Sequence, residues 1–557
     1  MTRSNFILSE RLARPGHAFS DCELAFIRVH LRLMQDRSAS SELPLDEQSL
    51  GDTPPDEFRR QLHTLADWIA DYREKIESIR VAPNDEPGAI LAKLPAEPPE
   101  QSEAFERIMA DLDRLIVPGM THWGHPMFLG YFGWTITGPG ILGEMATAPL
   151  NVNAMTWRTS PAATELETLV VDWIRQWMHL PNEFGGVVFD TASVGVMHAL
   201  AVAREEAAPL ATPKVAAATE GGSVRKRGLV ATGAPVFRIY ASEQAHSSAE
   251  KAAIALGLGE ENVRRVPVDA EFRMDATALR EMIGQDRQQK LRPLAVIATV
   301  GTTSTASVDP VPEIAQICRA EKLWLHIDGA YGAGFAIVPE CRWITAGWSE
   351  ADSIVVNPHK TLFVPLDFSV LYVRDLERLR RVFTLVPEYL RGDTVETQKN
   401  YMDYGIQLGR RFRALKAWMI FRSFGREGMA ARLRECVRLA NLFADWIKID
   451  PPPPRLRGAG HLFEVAAPVN MGVVCFRVVA GDKNPPSSDY GVASKMDKLN
   501  SEIVERINAS GRAYFTQTKL RDRTVMRIGL GNVLTTERHL REAWEMVRNA
   551  ANELIKL

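Results

Sequence analysis

Apolar residues recur along this chain with two different periods. In "TPPDEFRRQLHTLADWIADYREKIESI" (53–79), Phe58, Leu62, Leu65, Trp68, Ile69 and Tyr72 fall at helical spacing. Thr53 or Asp56 is placed to cap and a proline lies near the first turn, so the segment predicts a helix. The middle of the chain reads differently. "GGVVFDTAS" (185–193), "VFRIYASEQ" (236–244), "RPLAVIATVGTT" (292–303), "KLWLHIDGAY" (322–331), "SIVVNPHK" (353–360) and "FSVLYVRD" (368–375) are mostly continuous apolar runs separated by helical stretches. Such runs are expected of strands covered on both faces, so the alternation predicts an α/β domain with a mainly parallel sheet. Beyond "GRRFRALKAWMIFRSFG", a long helix is expected through "MAARLRECVRLANLFADWI". The segments "MGVVCFRVV", "MDKLNSEIVERINASG", "TVMRIGLG" and "RHLREAWEMVRNAANEL" then predict a smaller α+β domain.

Residues 1–52 are polar, Pro-containing and weakly periodic, as expected of a partly disordered extension in which only "CELAFIRVHLRLM" suggests a short helix. The divisions expected are this extension, an N-terminal helical segment (53–135), a large domain (136–415) and a small one (416–557). "AGDKNPPSSDYG" reads as a surface loop.

Composition narrows the function classes. The 557 residues are 46% hydrophobic and 24% charged with a formal net charge of -3, enough for a large core and without the basic field that nucleic acid or an anionic membrane would need. Small ligands are the expected partners. The five cysteines are odd in number and dispersed, without metal-ligand spacing, which fits a reducing compartment and no bound metal. With no apolar run of membrane-spanning length and charges interrupting the N-terminus, the expected location is cytoplasmic.

Chemistry-bearing residues collect at the carboxyl ends of predicted strands, where open α/β sheets bind ligands. Thr191, Ala192 and Ser193 open a helix, and suit either capping or an anion such as phosphate. His246 ends "YASEQAH" and would cap, rest in the core, or stack on a flat ligand. Asp328 interrupts an apolar strand and needs a positive partner, either an arginine or lysine or a protonated ring nitrogen. Lys360 follows "SIVVNPH"; it either snorkels to solvent or is kept as an amine of lowered pKa that can form a Schiff base with an aldehyde. One strand-helix-strand excursion is expected between Asp328 and Lys360. Anion site, flat ring, carboxylate and lysine together match the needs of pyridoxal phosphate.

The motifs "SPAATELE", "YASEQAHSSAEKAA", "TVGTTSTASVDP", "LHIDGAYGAG", "NPHKTLFVPLDFSVLYV" and "LGRRFRALKAW", with "THWGHPMFLGYF" nearer the start, resemble the group II pyridoxal-phosphate decarboxylases, especially the aromatic L-amino acid decarboxylases. The resemblance runs from about residue 53 to the C-terminus. It implies a fold-type I enzyme with a seven-stranded, mainly parallel sheet, a small C-terminal domain and a homodimer whose N-terminal segments pack on the partner. Lys360 is then similar to the cofactor-binding lysine, Asp328 to the ring-nitrogen partner, His246 to the stacking histidine and Ala330 to the support of the opposite face. Thr191, Ala192, Ser193, Asn357 and His359 resemble phosphate ligands, and Thr303 a threonine near the cofactor.

The resemblance implies decarboxylation of Trp, Tyr, Phe or DOPA to the amine. Tyr389, on a polar segment (387–405) expected to form a lid, matches a proton-donating tyrosine, whereas phenylalanine there marks related aldehyde synthases. The substrate pocket is expected to include Trp123, Tyr131, Phe132, Asn153, Met155, Trp157 and Gly409. Here "YFG" stands where the family has "YFP", and Asn153 and Met155 replace the Ile and Phe of animal enzymes. Plant relatives carry glycine at the place of Gly409 for indolic substrates and serine for phenolic ones. Arg527 matches a family arginine and is expected to be a structural ion-pair partner. An aldehyde synthase, a decarboxylase of another amino acid and a non-catalytic scaffold are the competing readings.

Overall fold

The computed structural model describes residues 51–133, 135–211, 223–385, 398–450, 462–479 and 490–555. The short helix expected within 22–34, Tyr389 with most of its lid segment, and most of the insert at 480–491 lie outside the described residues. The chain divides into two compact units, Met1–Arg73 and Glu74–Leu557. In the first, the described residues carry the predicted helix (α1, Pro55–Glu74), on which Trp68 and Tyr72 stack one turn apart.

The second unit is built on two sheets. The larger has seven strands, β1 (Gly185–Phe189), β2 (Phe237–Ser242), β3 (Val263–Val266), β4 (Arg292–Thr299), β5 (Trp324–Gly329), β6 (Ser353–Val356) and β7 (Ser369–Val373), in the order β1-β7-β6-β5-β4-β2-β3. Only β7 runs against the rest. Six of these strands coincide with the apolar runs; β3, "VRRV", escapes the pattern because an edge strand needs only Val263 and Val266 buried. Along the central strands, alternate residues enter opposite cores. Tyr240, Val296, Ala298, Ile327 and Val356 pack on one side, and Ile239, Ala241, Ala295, Ile297 and Val355 on the other. Two-sided coverage is why these runs are continuously apolar.

Helices α2 (Gly138–Leu150), α3 (Pro161–Trp177), α4 (Ala192–Ala211), α5 (Ser248–Ala255), α6 (Ala276–Gln288) and α7 (Val311–Glu321) lead to the site. Helix α4 approaches the sheet closely: a Cβ on Gly195 would stand 2.9 Å from Val355 Cγ2. The excursion between β5 and β6 holds no α-helix, contrary to the sequence expectation. Three 3-10 segments, Gly332–Ile337, Pro339–Thr345 and Trp348–Glu350, make it instead, because the glycines and the proline of "YGAGFAIVPE" break it into short turns.

A one-turn helix α8 (Pro358–Thr361) follows β6, and α9 (Leu376–Phe383) follows β7. The long helix α10 (Ala414–Ile449) is interrupted at Gly425, whose φ of 62° leaves the helical region. The second sheet, β8 (Phe463–Val465), β9 (Val473–Val478), β10 (Thr516–Leu520) and β11 (Arg523–Gly529), is antiparallel in the order β10-β11-β9-β8. It packs with α10, α11 (Tyr490–Ser510) and α12 (Glu537–Leu554) around Phe443, Phe476, Ile503 and Trp544.

Candidate active site

With β7 reversed, β1, β2, β4, β5 and β6 all end on one edge of the large sheet. That edge gathers the residues singled out above. Thr299 of β4 stands in register with Asp328 of β5, and Asp328 with Val355 of β6. Asp328 is nearly buried, and its Oδ1 accepts the Ala330 N–H at 3.1 Å. Among the described residues it has no ion pair, so the arginine-or-lysine alternative does not hold for this carboxylate.

Lys360 sits on α8, its N–H donating to Asn357 O at 2.8 Å. Its Nζ lies 4.8 Å from the centroid of the Phe132 ring. The side chain keeps some accessible surface, yet its surroundings are dense enough that desolvation lowers its pKa; Asp328 opposes this and Arg527 adds to it. The amine is aimed inward rather than snorkelling.

His246 lies between β2 and α5. Its Nδ1 accepts the Ser248 N–H at 3.1 Å, so the ring does cap α5, while it remains exposed toward the edge of the sheet. Burial of the ring's inner side lowers its pKa, Asp328 opposes and Lys360 reinforces. With Nδ1 taken as an acceptor, the ring offers a flat surface beside the carboxylate and the amine.

Ala330 is buried in the same core as Ala192. Thr191, Ala192 and Ser193 lie at the start of α4, where Thr191 N–H and Oγ1 both donate to Asp190 Oδ1, at 2.6 and 3.3 Å. Asn357 is 3% exposed, and its Oδ1 has no protein partner. His359 is buried; its Nδ1 accepts the Phe368 N–H at 3.0 Å, and burial together with the neighbouring Lys360 pushes its pKa to about 3. The imidazole is therefore neutral with its proton on Nε2.

The expected pocket residues fall into two groups. Tyr131, Phe132 and Thr303 line a cavity of about 430 Å³ with Tyr514, Thr516 and Arg527. Trp123 stacks on Tyr131 at 5.1 Å, and Phe132 on Tyr331 at 4.1 Å. The departure at "YFG" has a steric cause: Gly133 has φ +61°, which proline cannot adopt, and a Cβ there would meet Gly529 O at 2.4 Å. In the second group, Asn153 Nδ2 approaches Met155 Sδ at 3.5 Å and is 4.0 Å from where a Gly409 Cβ would stand. Trp157 donates Nε1–H to Glu165 Oε1 at 2.8 Å.

Arg527 has no ion pair among the described residues, contrary to the sequence expectation. Among the described residues no carboxylate lies against it. Its Nε donates to Ser304 O at 2.9 Å and its Nη1 to Tyr131 O, the guanidinium lies 5.0 Å from the Phe132 centroid, and Nη2 is buried without a partner. The sequence reading also passed over Ser242, Thr299 and His326, polar residues within apolar strands whose Oγ, Oγ1 and Nε2 are buried and unpartnered. The signal is a hydroxyl at the last position of an apolar strand for Ser242 and Thr299, and an imidazole within the apolar run for His326.

An amine of lowered pKa, a carboxylate without an ion pair among the described residues, a flat imidazole and an unpartnered buried amide fit a ligand with an aldehyde, a basic aromatic ring and an anionic tail. The comparisons agree. The family described as "Pyridoxal-dependent decarboxylase conserved domain" matches residues 87–479. Tryptophan decarboxylase 1 of Oryza sativa subsp. japonica is 35% identical over 90% of this chain and 95% of its own length. The aromatic-L-amino-acid decarboxylase of Cavia porcellus is 35% identical over 90% and 98%. The crystal structure of Oryza sativa TDC with PLP and tryptamine superposes with a TM-score of 0.80 at 34% identity, covering 91% of this chain and all of that one.

Proposed function

The chain belongs to the pyridoxal-dependent decarboxylase family, and from that premise we propose that it decarboxylates an aromatic L-amino acid to the corresponding amine and CO2. The observation that carries this reading is the convergence of Lys360, Asp328 and His246 on one sheet edge beside an aromatic-lined cavity. Bound pyridoxal phosphate supplies an electron sink for the pair left at Cα when CO2 departs.

The protein's part is positioning and proton control. Lys360 Nζ, whose pKa is lowered by its surroundings, would hold the cofactor through its aldehyde and give way to the substrate amine. The Asp328 carboxylate holds a proton on the ring nitrogen, which sustains the sink. His246 would cover one face of the ring and Ala330 the other. Asn357, His359 Nε2–H and the start of α4 at Thr191, Ala192 and Ser193 would hold the phosphate, and Thr303 lines the adjoining cavity. In this reading Tyr389 would supply the proton to Cα. Trp123, Tyr131 and Phe132 offer aromatic surface to the substrate ring.

The working unit in this reading is a cytoplasmic homodimer with shared active sites, to whose pockets Asn153, Met155, Trp157 and Gly409 contribute. The division into a segment at 53–135, a large domain at 136–415 and a small one at 416–557 serves the same scheme. Incubation with Trp, Tyr, Phe and DOPA tests it. Amine and CO2 in equal amounts from at least one of them are expected; aldehyde, peroxide and ammonia in their place would overturn it.

A further inference from the structure

Trp324, His326 and Asp328 are alternate residues of β5 and share one face of the sheet, with the aspartate at the carboxyl end. His326 stands in register with Ser353 of β6, and both are fully buried. Trp324 Nε1 donates to Ser353 Oγ at 2.8 Å, and His326 Nδ1 lies 2.8 Å from the same oxygen. Counting donors fixes the direction of the chain. The indole can only donate, so Ser353 Oγ accepts from it and passes its own proton to His326 Nδ1. The opposite tautomer would strand both the hydroxyl proton and the Nε2 lone pair. His326 therefore carries its proton on Nε2, and that buried nitrogen has no hydrogen-bond partner. The ring is neutral, since burial pushes its pKa to about 4, and Asp328 is the charge that acts on it.

We propose that His326 is a positioning residue for Asp328: its Nε2–H, held in that tautomer by Trp324 and Ser353, acts on the carboxylate two positions along the same face of β5 through its field rather than through a hydrogen bond. Asp328 is thereby kept aligned toward the cofactor's ring nitrogen. This rests on the reading of Asp328 given above. An N–H dipole near a carboxylate on the same sheet face favours the charged form even without a direct bond, and the preset tautomer lowers the cost of reorganisation when the cofactor arrives.

The test is a double-mutant cycle on pyridoxal phosphate affinity, measured by fluorescence titration of the full-length apoenzyme alongside its thermal melting. His326→Leu is expected to weaken binding about tenfold, and His326→Gln, which keeps a donor, to recover most of the loss. In an Asp328→Asn background His326→Leu should change affinity by less than about twofold. Equal losses in both backgrounds, or a lowered melting temperature with unchanged affinity, would overturn the proposal in favour of plain core packing. Wild-type affinity in Asp328→Asn alone would overturn the reading of Asp328 and this proposal with it. Should His326→Leu fail to fold, Ser353→Ala, which leaves both rings in place, runs the same cycle with an expected loss of about threefold.

Discussion

Around Arg410 and around Lys360 the chain buries polar groups in opposite ways. Arg410 donates to Glu167 Oε1 at 2.7 Å, Val188 O at 2.8 Å and Ala154 O at 3.3 Å, lies over the Tyr401 ring, and gives its N–H to Asn153 Oδ1 at 2.9 Å. Glu167 Oε1 in turn accepts the Val188 N–H. At the other end of the sheet edge, Asn357 Oδ1, Thr361 Oγ1, Ser242 Oγ and Thr299 Oγ1 are buried with no protein partner. A closed network holds a frame, whereas an open one is completed by what binds there. The two regions should therefore fail differently when cut.

Lys360→Ala should fail in chemistry, with kcat/KM falling by about 10³-fold or more and the melting temperature of the apoenzyme holding or rising, since a desolvated amine is removed. Loss of the fold instead would erase the contrast. Glu167→Gln should fail in stability: leaving Arg410 buried beside a neutral amide costs about 3–5 kcal/mol, read by urea unfolding, while the absorbance band of bound cofactor is retained in the fraction that folds. Asp328→Asn returns to the open region, and kcat should drop by about 10²–10³-fold with little change in urea midpoint.

Acid should separate the regions more gently. His198, His326 and His359 are held neutral by burial, with pKa pushed to about 4, about 4 and about 3 against an ordinary 6.5. The unfolded chain takes up these protons as pH falls below 6.5, and the folded chain does not until near 4. Their contribution to stability is thus complete above pH 6.5 and declines toward pH 4, by about 1.4 kcal/mol per pH unit for each fully neutral ring. Calorimetry from pH 8 to 4.5 should show a melting temperature that is flat and then falling. The smallest effect is expected of Gly409→Ser. It sits in open space with only Asn153 Nδ2 at 4.0 Å, so stability should hold within about 0.5 kcal/mol and the ratio of Trp to Tyr turnover should move by about tenfold or less.

How much of this was legible in the sequence follows from what each feature depends on. Six strands, the edge strand β1 among them, could be read because burial forces continuous apolar runs, and Lys360, Asp328 and His246 because polar residues at the ends of such runs need a reason. The edge strand β3 and the short β8 and β10 could not, since half-buried strands leave a weak pattern. The excursion from Asp328 to Lys360 was expected to be helical, and glycine and proline turned it into 3-10 turns. Arg527 was expected to pair with a carboxylate; two backbone carbonyls and the Phe132 ring hold it instead, contacts brought together from segments far apart in sequence. Ser353 opposite His326 is of the same kind, since register between strands is a property of the sheet and not of either run alone.

The claim on which the account turns is that Lys360 is the residue holding pyridoxal phosphate at this edge. Borohydride reduction of the cofactor-loaded full-length protein, followed by peptide mapping by mass spectrometry, tests it directly. The account predicts one phosphopyridoxyl group per chain on the peptide containing "NPHKTLF", and none on any peptide of Lys360→Ala. A stoichiometric label on another lysine of the wild-type protein, or cofactor that washes away unlabelled after reduction, would contradict it.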